Sequence, residues 1–223
     1  MTDTTAPAAD ARHPLLRPRV YGPLLALVAV LNVPFLHYAL RGPAAVTATI
    51  PLQDVFDRAE LGPNYHATGG YWRLVKGELY SPGVKNNPLW LQARLPENVV
   101  VEFDARSESA AGDIKCEIFG DGRAHSTGYL LVMGGWNNTI SVLARLDEHG
   151  LDRKERRDLK VEKGRTYRWR IERRNGTLRW YVDNALAFEW LDPAPLRGEG
   201  HDRFGFSSWD SDLYFDNLRI EAL

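Results

Sequence analysis

The sequence predicts an all-β domain, built as a two-sheet antiparallel β-sandwich of jelly-roll type, behind one N-terminal transmembrane α-helix. The sandwich is indicated by many short segments that alternate apolar and polar residues with a period of two, separated by breaks rich in Gly, Asn and Asp. The membrane helix is indicated by residues 20–40, which contain no Asp, Glu, Lys or Arg. After that run, the sequence contains no segment of helical period and useful length.

The N-terminal tail, residues 1–19, is rich in Ala, Pro, Thr and Arg, which predicts an extended or disordered segment. Arg12, Arg17 and Arg19 precede the apolar run, whereas only Arg41 follows it closely. The positive-inside rule then places the tail in the cytoplasm and the long C-terminal domain in the periplasm or outside the cell. The predicted localisation is therefore that of a single-pass membrane protein.

The apolar run 20–40 has the length of a membrane span, because a helix rises about 1.5 Å per residue and the hydrocarbon core is about 30 Å thick. The alternative is a signal peptide cleaved after Ala48. The run is longer than an ordinary signal-peptide core and Arg41 follows it, so an uncleaved anchor is favoured.

Three residues in the second half of this run are unusual for a simple anchor. Asn32 and His37 are polar, and Pro34 removes a backbone donor. Polar groups in lipid usually face another helix, a cofactor or water, so Asn32, Pro34 and His37 predict a docking face for a partner. Two further readings of His37 remain open: it extends to the interface, or it ligates a metal or a chlorin.

Residues 41–52 read as a linker with two prolines, and residues 53–223 as the outer sandwich. Its clearest hairpin spans 166–183, where Asn175-Gly176 supplies the turn. The residues predicted to face the core of this hairpin are Tyr167, Trp169, Ile171, Leu178, Trp180 and Val182. Further strands are predicted at 71–75, 78–82, 89–95, 99–107, 113–119, 128–134, 139–146, 186–191, 203–209 and 213–223.

Composition excludes some classes of function. The formal net charge is -1, and no basic stripe with interleaved aromatics appears, so nucleic-acid binding is not expected. The single cysteine, Cys116, cannot form an internal disulfide, and its place in the predicted strand 113–119 indicates burial. The charged segment 146–164 is expected to be a solvated loop or hairpin arm.

The outer domain resembles the concanavalin A-like lectin/glucanase sandwiches, nearest the laminin G-like and 3-keto-disaccharide hydrolase-type modules. The resemblance covers nearly all of residues 53–223. It rests on strand and turn motifs at 54–66, 70–82, 99–107, 178–189 and 203–223. Such motifs support the fold much better than they support any activity.

Glucanases of this class resemble one another in a Glu-x-Asp-x-x-Glu strand that supplies the two carboxylates of hydrolysis. The nearest match begins at Glu102 and Asp104, but Ser107 stands in place of the second Glu. Glu108 would point to the opposite face of a regular strand. We therefore expect a charged surface strand and a domain that is not catalytic, with the question of an enzyme left open.

The acidic residues Asp210, Asp212 and Asp216 could together hold a structural calcium ion, which prefers hard oxygen ligands. The alternative is a simple polar turn. No other cofactor is predicted.

Several tryptophans near loops or strand ends are candidates for contact with a ligand, because an exposed indole stacks on sugar rings or fills a partner's pocket. The best segment is 134–139, which carries Trp136, Asn137 and Asn138. Trp72, Trp90 and Trp209 are the other candidates. For each tryptophan the competing interpretation is burial in the core.

Three functions follow from these observations. The first is a non-catalytic accessory or scaffold subunit that docks on an integral-membrane complex (respiratory, photosynthetic or transport) and contacts membrane lipid. The second is an anchored carbohydrate-binding module. The third, from the resemblance alone, is a glycoside hydrolase or a lyase acting on 3-keto sugars, which would need a cleft with at least two converging carboxylates or a bound metal. The sequence names neither the complex nor the sugar.

Overall fold

A computed structural model describes residues 18–40, 42 and 44–223. The chain divides into two compact units, one ending at Gly42 and the other running from Pro43 to Leu223. In the described part of the first unit, helix α1 spans Pro18–Ala39. The strands of the second unit are β1 (Leu52–Asp54), β2 (Tyr65–Ala67), β3 (Arg73–Val75), β4 (Glu78–Pro82), β5 (Leu89–Leu91), β6 (Val99–Ser107), β7 (Ile114–Gly120), β8 (Tyr129–Gly134), β9 (Ile140–Arg145), β10 (Lys154–Arg156), β11 (Thr166–Arg174), β12 (Thr177–Val182), β13 (Ala185–Leu191), β14 (Arg203–Ser207) and β15 (Asp212–Ala222).

Helix α1 corrects the predicted membrane topology. Along the described residues, no helix combines the length and the apolar character that a membrane span requires. The uninterrupted apolar stretch runs only from Leu24 to Leu31, between Pro23 and Asn32. The prediction of a transmembrane helix over 20–40 is therefore wrong.

The predicted localisation depended on that helix. A single-pass topology with a cytoplasmic tail and a periplasmic or extracellular domain is wrong for the same reason. An integral-membrane complex and membrane lipid, the predicted partners, lose the basis on which they were predicted. Residues 1–17 of the predicted tail, and with them Arg12 and Arg17, lie outside the described residues, as does Arg41.

The second unit is a two-sheet antiparallel β-sandwich, which confirms the predicted fold class of this domain. In sheet A the strands follow the order β13-β12-β11-β6-β15-β4-β3, with β1 pairing beside β15. In sheet B the order is β10-β9-β8-β7-β14-β5-β2. Neighbouring strands are therefore often distant in sequence, as β6 and β15 are, and long connections cross between the sheets.

The core between the sheets is built from aromatic and branched side chains. The predicted hairpin forms between β11 and β12, and its turn places Asn175 and Gly176 at positive φ. Trp169 stacks 5.3 Å from Phe103 and 4.4 Å from Trp180. Burial of each such side chain stabilises the fold by roughly 1.5–3 kcal/mol. The predicted core-facing residues Tyr167, Trp169, Ile171, Leu178, Trp180 and Val182 are all buried.

The outer face of sheet B is also buried, because loops fold over it. On β7, Cys116 lies in the core between the sheets, so its neighbours Lys115 and Glu117 point to the opposite face. Both are nonetheless buried. The covering segments include 121–127, where Ser126 N donates to Glu117 Oε2 at 3.0 Å, and 44–48, where Thr47 N donates to the Gln92 carbonyl at 2.9 Å. Under this cover lies a small second apolar cluster: Leu130, Val132, Ile140, Val142 and Ala144.

Candidate functional site

A cleft of ≈ 640 Å³ opens at one end of sheet B, where β7 begins and β8 and β14 end. Trp136 and Trp209 both line it, so we call it the Trp136–Trp209 cleft. Three of the sequence-predicted contact residues, Trp136, Asn137 and Trp209, therefore line the same cleft. The polar side chains that line the cleft are Asn86, Asp113, Lys115, Asn137, Glu148, His149, Asp210 and Ser211.

Trp136 stands on a tight left-handed turn, Gly135–Asn138. Its φ is 50°, and those of Asn137 and Asn138 are 59° and 58°. Asn tolerates this region of backbone space, but a bulky residue such as Trp rarely occupies it. Backbone strain of this kind persists only where the surroundings enforce it, and it concentrates at functional positions.

The surroundings of this turn enforce its shape. The Asn138 side chain donates to the Val161 carbonyl at 2.7 Å and accepts from the Val161 N–H at 2.9 Å. Thr139 Oγ1 donates to the Trp136 carbonyl at 2.7 Å, and Lys160 Nζ donates to the Asn138 carbonyl at 2.8 Å. Asn138, predicted as a contact residue, thus holds the turn, while Trp136 is presented at the edge of the cleft.

A cationic side chain lies over each indole ring of the cleft. Trp136 is 36% exposed, and the guanidinium carbon of Arg153 lies 4.9 Å from its ring centroid. Trp209 is 50% exposed, and Lys85 Nζ lies 5.0 Å from its ring centroid. Such contacts restrain the rings at a modest energetic gain of about 0.5–1 kcal/mol at exposed sites. The cations thus help to fix the orientation of both ring systems.

The base of the cleft is a buried ion pair. Lys115 Nζ lies 2.8 Å from Glu148 Oε2, and the side chains are only 3% and 10% exposed. Lys115 Nζ also donates to Asn86 Oδ1 at 2.9 Å. Burial acts to raise the pKa of Glu148, but Lys115, together with His125 and His149, outweighs it, so the pKa lies below its ordinary value. Glu148 is therefore held as a carboxylate.

The chain of charges continues beneath the cleft. His125 Nδ1 lies 2.5 Å from Glu117 Oε1, and His125 Nε2 lies 4.0 Å from Glu148 Oε2. Sequence reasoning missed Glu117, His125 and Glu148, because the three lie on separate segments with no recognisable spacing. The one available signal was the position of Lys115 and Glu117 on either side of Cys116, the residue of this strand that was predicted to be buried.

Asp113 connects the two walls of the cleft. It follows Gly112 at positive φ and has a φ of 62° itself. Its backbone N–H donates to the Gly134 carbonyl at 2.9 Å, next to the Trp136 turn. Its Oδ2 accepts from the Trp209 backbone N–H at 2.7 Å. Burial raises the pKa of this carboxyl above its ordinary value.

Trp72 and Trp90, the remaining contact candidates, are withdrawn from the surface. Trp72 is buried and donates from Nε1 to the Asn87 carbonyl at 3.1 Å. Trp90 is 1% exposed and lies flat over Gly120 and Gly205, where an added Cβ would meet the indole at 2.2 Å and 2.7 Å. Glycines at these two positions make room for the Trp90 ring. Both tryptophans are buried and contribute to packing.

The glucanase-like strand segment lies away from the cleft. Glu102 and Asp104 point outward from sheet A, where Arg170 Nη1 lies 3.0 Å from Glu102 and Arg168 Nη1 lies 3.2 Å from Asp104. Ser107 is buried. This segment is thus a charged surface strand whose carboxylates are engaged by arginines.

The three acidic residues considered for calcium have separate partners. Asp210 pairs with Lys85 at 2.8 Å, and Asp212 Oδ1 accepts from the Tyr80 hydroxyl at 2.6 Å. Asp216 lies farther along β15 in register with Asp104. Among the described residues, no group of three or more His, Cys, Asp or Glu is arranged to hold a metal ion. The calcium prediction therefore gains no support.

The predicted docking residues lie in the described part of helix α1. Asn32 Nδ2 donates to the Val28 carbonyl one turn earlier at 2.7 Å, which satisfies the polar group within the helix. Pro34 lies inside the helix and His37 in its last turn. Their role in docking stays a prediction.

No protein-family model and no curated protein matches the sequence significantly. Solved structures do resemble it. The carbohydrate-binding module CBM66 from Bacillus subtilis is 15% identical, with a TM-score of 0.61 over 78% of this chain and 99% of that one. The Bacillus licheniformis β-glucanase is 12% identical, with a TM-score of 0.57 over 78% and 98%. The carbohydrate recognition domain of Emp47p is 13% identical, with a TM-score of 0.56 over 82% and 99%.

These likenesses confirm the resemblance noted in the strand and turn motifs. At such low identity they speak for the fold and leave the activity undecided. The second unit of this chain has the concanavalin A-like sandwich fold.

Proposed function

We propose that this protein is a carbohydrate-binding domain and that the Trp136–Trp209 cleft is its binding site. The observation that carries the proposal is the pair of partly exposed indoles beside a polar base in one cleft. Indole rings stack on the apolar faces of sugar rings, while a few placed polar groups orient the ligand through its hydroxyls. The cleft volume of ≈ 640 Å³ falls within the usual range of about 300–1,000 Å³ for small-ligand sites.

The structural neighbours support this proposal. A carbohydrate-binding module and a carbohydrate recognition domain share the fold over nearly their whole length. Function on a shared fold resides in the site, so this support is by analogy, and the cleft supplies the physical argument.

A saccharide panel tests the proposal directly. Titration calorimetry on the full chain should give saturable binding to at least one saccharide. Trp136→Ala and Trp209→Ala should each weaken it by about tenfold or more, since buried aromatic anchors dominate binding energy. Tyr71→Ala is the matched control, because Tyr71 is 61% exposed and does not line the cleft. Absence of binding to every saccharide would refute the proposal, as would equal affinities in all three variants.

A second candidate function is a glycoside hydrolase. Asp113 and Glu148 line the same cleft, and their surroundings shift the pKa of Asp113 up and that of Glu148 down. Pairs of carboxyls with pKa values moved apart are the usual acid and base of hydrolysis. A reducing-end assay on the bound saccharide decides: release that Glu148→Gln abolishes favours an enzyme, and binding without release favours the binding domain.

A further inference from the structure

The charges of the cleft are satisfied within the protein, with one exception. Lys115 pairs with Glu148 at the base and Lys85 pairs with Asp210 at one rim. At the other rim, Arg153 Nε donates to Glu155 Oε1 at 2.7 Å. An anionic ligand would have to displace one of these pairs to reach a cation.

The exception is Asp113. Within the part of the chain that the structure describes, Asp113 forms no ion pair, and the Trp209 N–H is its one hydrogen-bond donor. A carboxylate has about four acceptor positions, so Asp113 retains capacity for further donors. Because its backbone is tied to the Trp136 turn and its side chain to Trp209, that capacity lies between the two walls of the cleft.

The closure of sheet B limits the length of ligand that can enter. Beyond the cleft, the outer face of the sheet lies under loops, and Trp90 and Glu117 are 1% and 0% exposed. A long polysaccharide therefore has no open groove along this face. A chain that ran along this face could therefore not reach the base of the cleft.

Building on the proposed function, we infer that the cleft binds the end of a saccharide that carries no acidic group and that the Asp113 carboxylate accepts hydrogen bonds from two adjacent hydroxyls. Vicinal hydroxyls match the two oxygens of one carboxylate, and hydrogen bonds to a charged acceptor are stronger than neutral ones. An acidic sugar would be repelled by Asp113. The cations Lys115, Lys85 and Arg153 are already paired within the protein and would not offset that repulsion.

The test compares saccharides and variants in one titration series. Neutral oligosaccharides with a free end should bind at least about tenfold more tightly than matched uronic-acid versions, and than the same chains blocked at both ends. Asp113→Asn should weaken binding by about tenfold or more, because it keeps an acceptor for Trp209 and loses the charge. Asp57→Asn, at an exposed carboxyl outside the cleft, should stay within about twofold.

The outcomes separate this inference from the proposed function. Preference for an acidic or end-blocked saccharide would overturn the inference and leave the binding domain standing. So would an unchanged affinity in Asp113→Asn where Trp136→Ala loses binding. Failure of the wild type to bind any saccharide would remove both. If Asp113→Asn did not fold, the saccharide ranking of the wild type would still decide.

Discussion

The outer faces of the two sheets differ in their burial. On β6 of sheet A, buried and partly exposed residues alternate, and Glu102 and Asp104 form ion pairs with arginines in contact with water. On β7 of sheet B every residue is buried, and Lys115 and Glu117 meet their partners under loops. Charged side chains on the outer face are therefore in contact with water in sheet A and buried in sheet B. The Trp136–Trp209 cleft and its buried Lys115–Glu148 pair belong to the covered face.

Removing one cation from the outer face of each sheet should give the largest difference in unfolding free energy. Lys115→Met leaves Glu148 buried without its partner and is expected to cost about 3–5 kcal/mol of unfolding free energy. Arg170→Met, on the exposed face of sheet A, should cost about 0–1 kcal/mol. Urea unfolding measures both. Equal costs would mean that the loops over sheet B do not exclude water, and the contrast between the faces would be lost.

A second variant tests the cover itself. Gly205→Ala would place a Cβ 2.7 Å from the Trp90 indole, and we expect overpacking to cost about 1–3 kcal/mol. Trp90→Phe gives the matched background, since a smaller ring leaves room for the methyl group. Thermal unfolding of the single and double variants should show a smaller cost of Gly205→Ala when Trp90 is already Phe. Strictly additive costs would contradict close packing on this face.

The smallest expected effect is the pH dependence of Asp113. Burial raises its pKa in the folded state, with Lys115, the Trp209 N–H and His125 opposing and Glu148 adding to the rise. An acid whose pKa is raised by folding binds its proton more tightly in the folded state. Its stabilising contribution is full below the ordinary pKa of 3.8 and is lost as pH rises through the folded pKa.

The comparison of wild type with Asp113→Asn isolates this effect. The stability of the wild type relative to the variant should fall as pH rises across that interval, as measured by urea unfolding. A pH-independent difference would show that Asp113 is solvated like an exposed carboxyl. Saccharide affinity should change in the opposite sense, since only the charged form offers both oxygens as acceptors.

The contrast between the faces also explains which predictions held. Period-two alternation is visible where one face meets water, so the β11–β12 hairpin and its Trp169 and Trp180 core could be read from the sequence. Trp136 and Trp209 were selected because turn residues surround both, and their role as contact residues stays a prediction. The apolar run 20–40 was interpreted as a membrane span from its length and its lack of charged residues, but no described helix is long and apolar enough to be one.

What the sequence did not reveal is the path of the loops. Segment 146–164 was expected to be a solvated loop or hairpin arm. Strand β10, which pairs with β9, fits that expectation, whereas Glu148 is buried and closes the base of the cleft. Trp90 was a contact candidate with burial in the core as the competing interpretation, and it is buried. A loop that folds back over a sheet has no periodicity of its own, and the contacts of Glu117, His125 and Glu148 join segments distant in sequence. Such contacts require the tertiary structure.

The double attachment of Asp113 has a consequence for how this cleft can change. Its backbone N–H donates to the Gly134 carbonyl, and its carboxylate accepts from the Trp209 N–H. These two hydrogen bonds fix the distance between the two walls of the cleft. We expect that replacing an indole would change the affinity for a ligand. Binding a thicker ligand would instead require a longer 208–211 segment. Among related domains, the affinity for a ligand and the width of the cleft could therefore change independently.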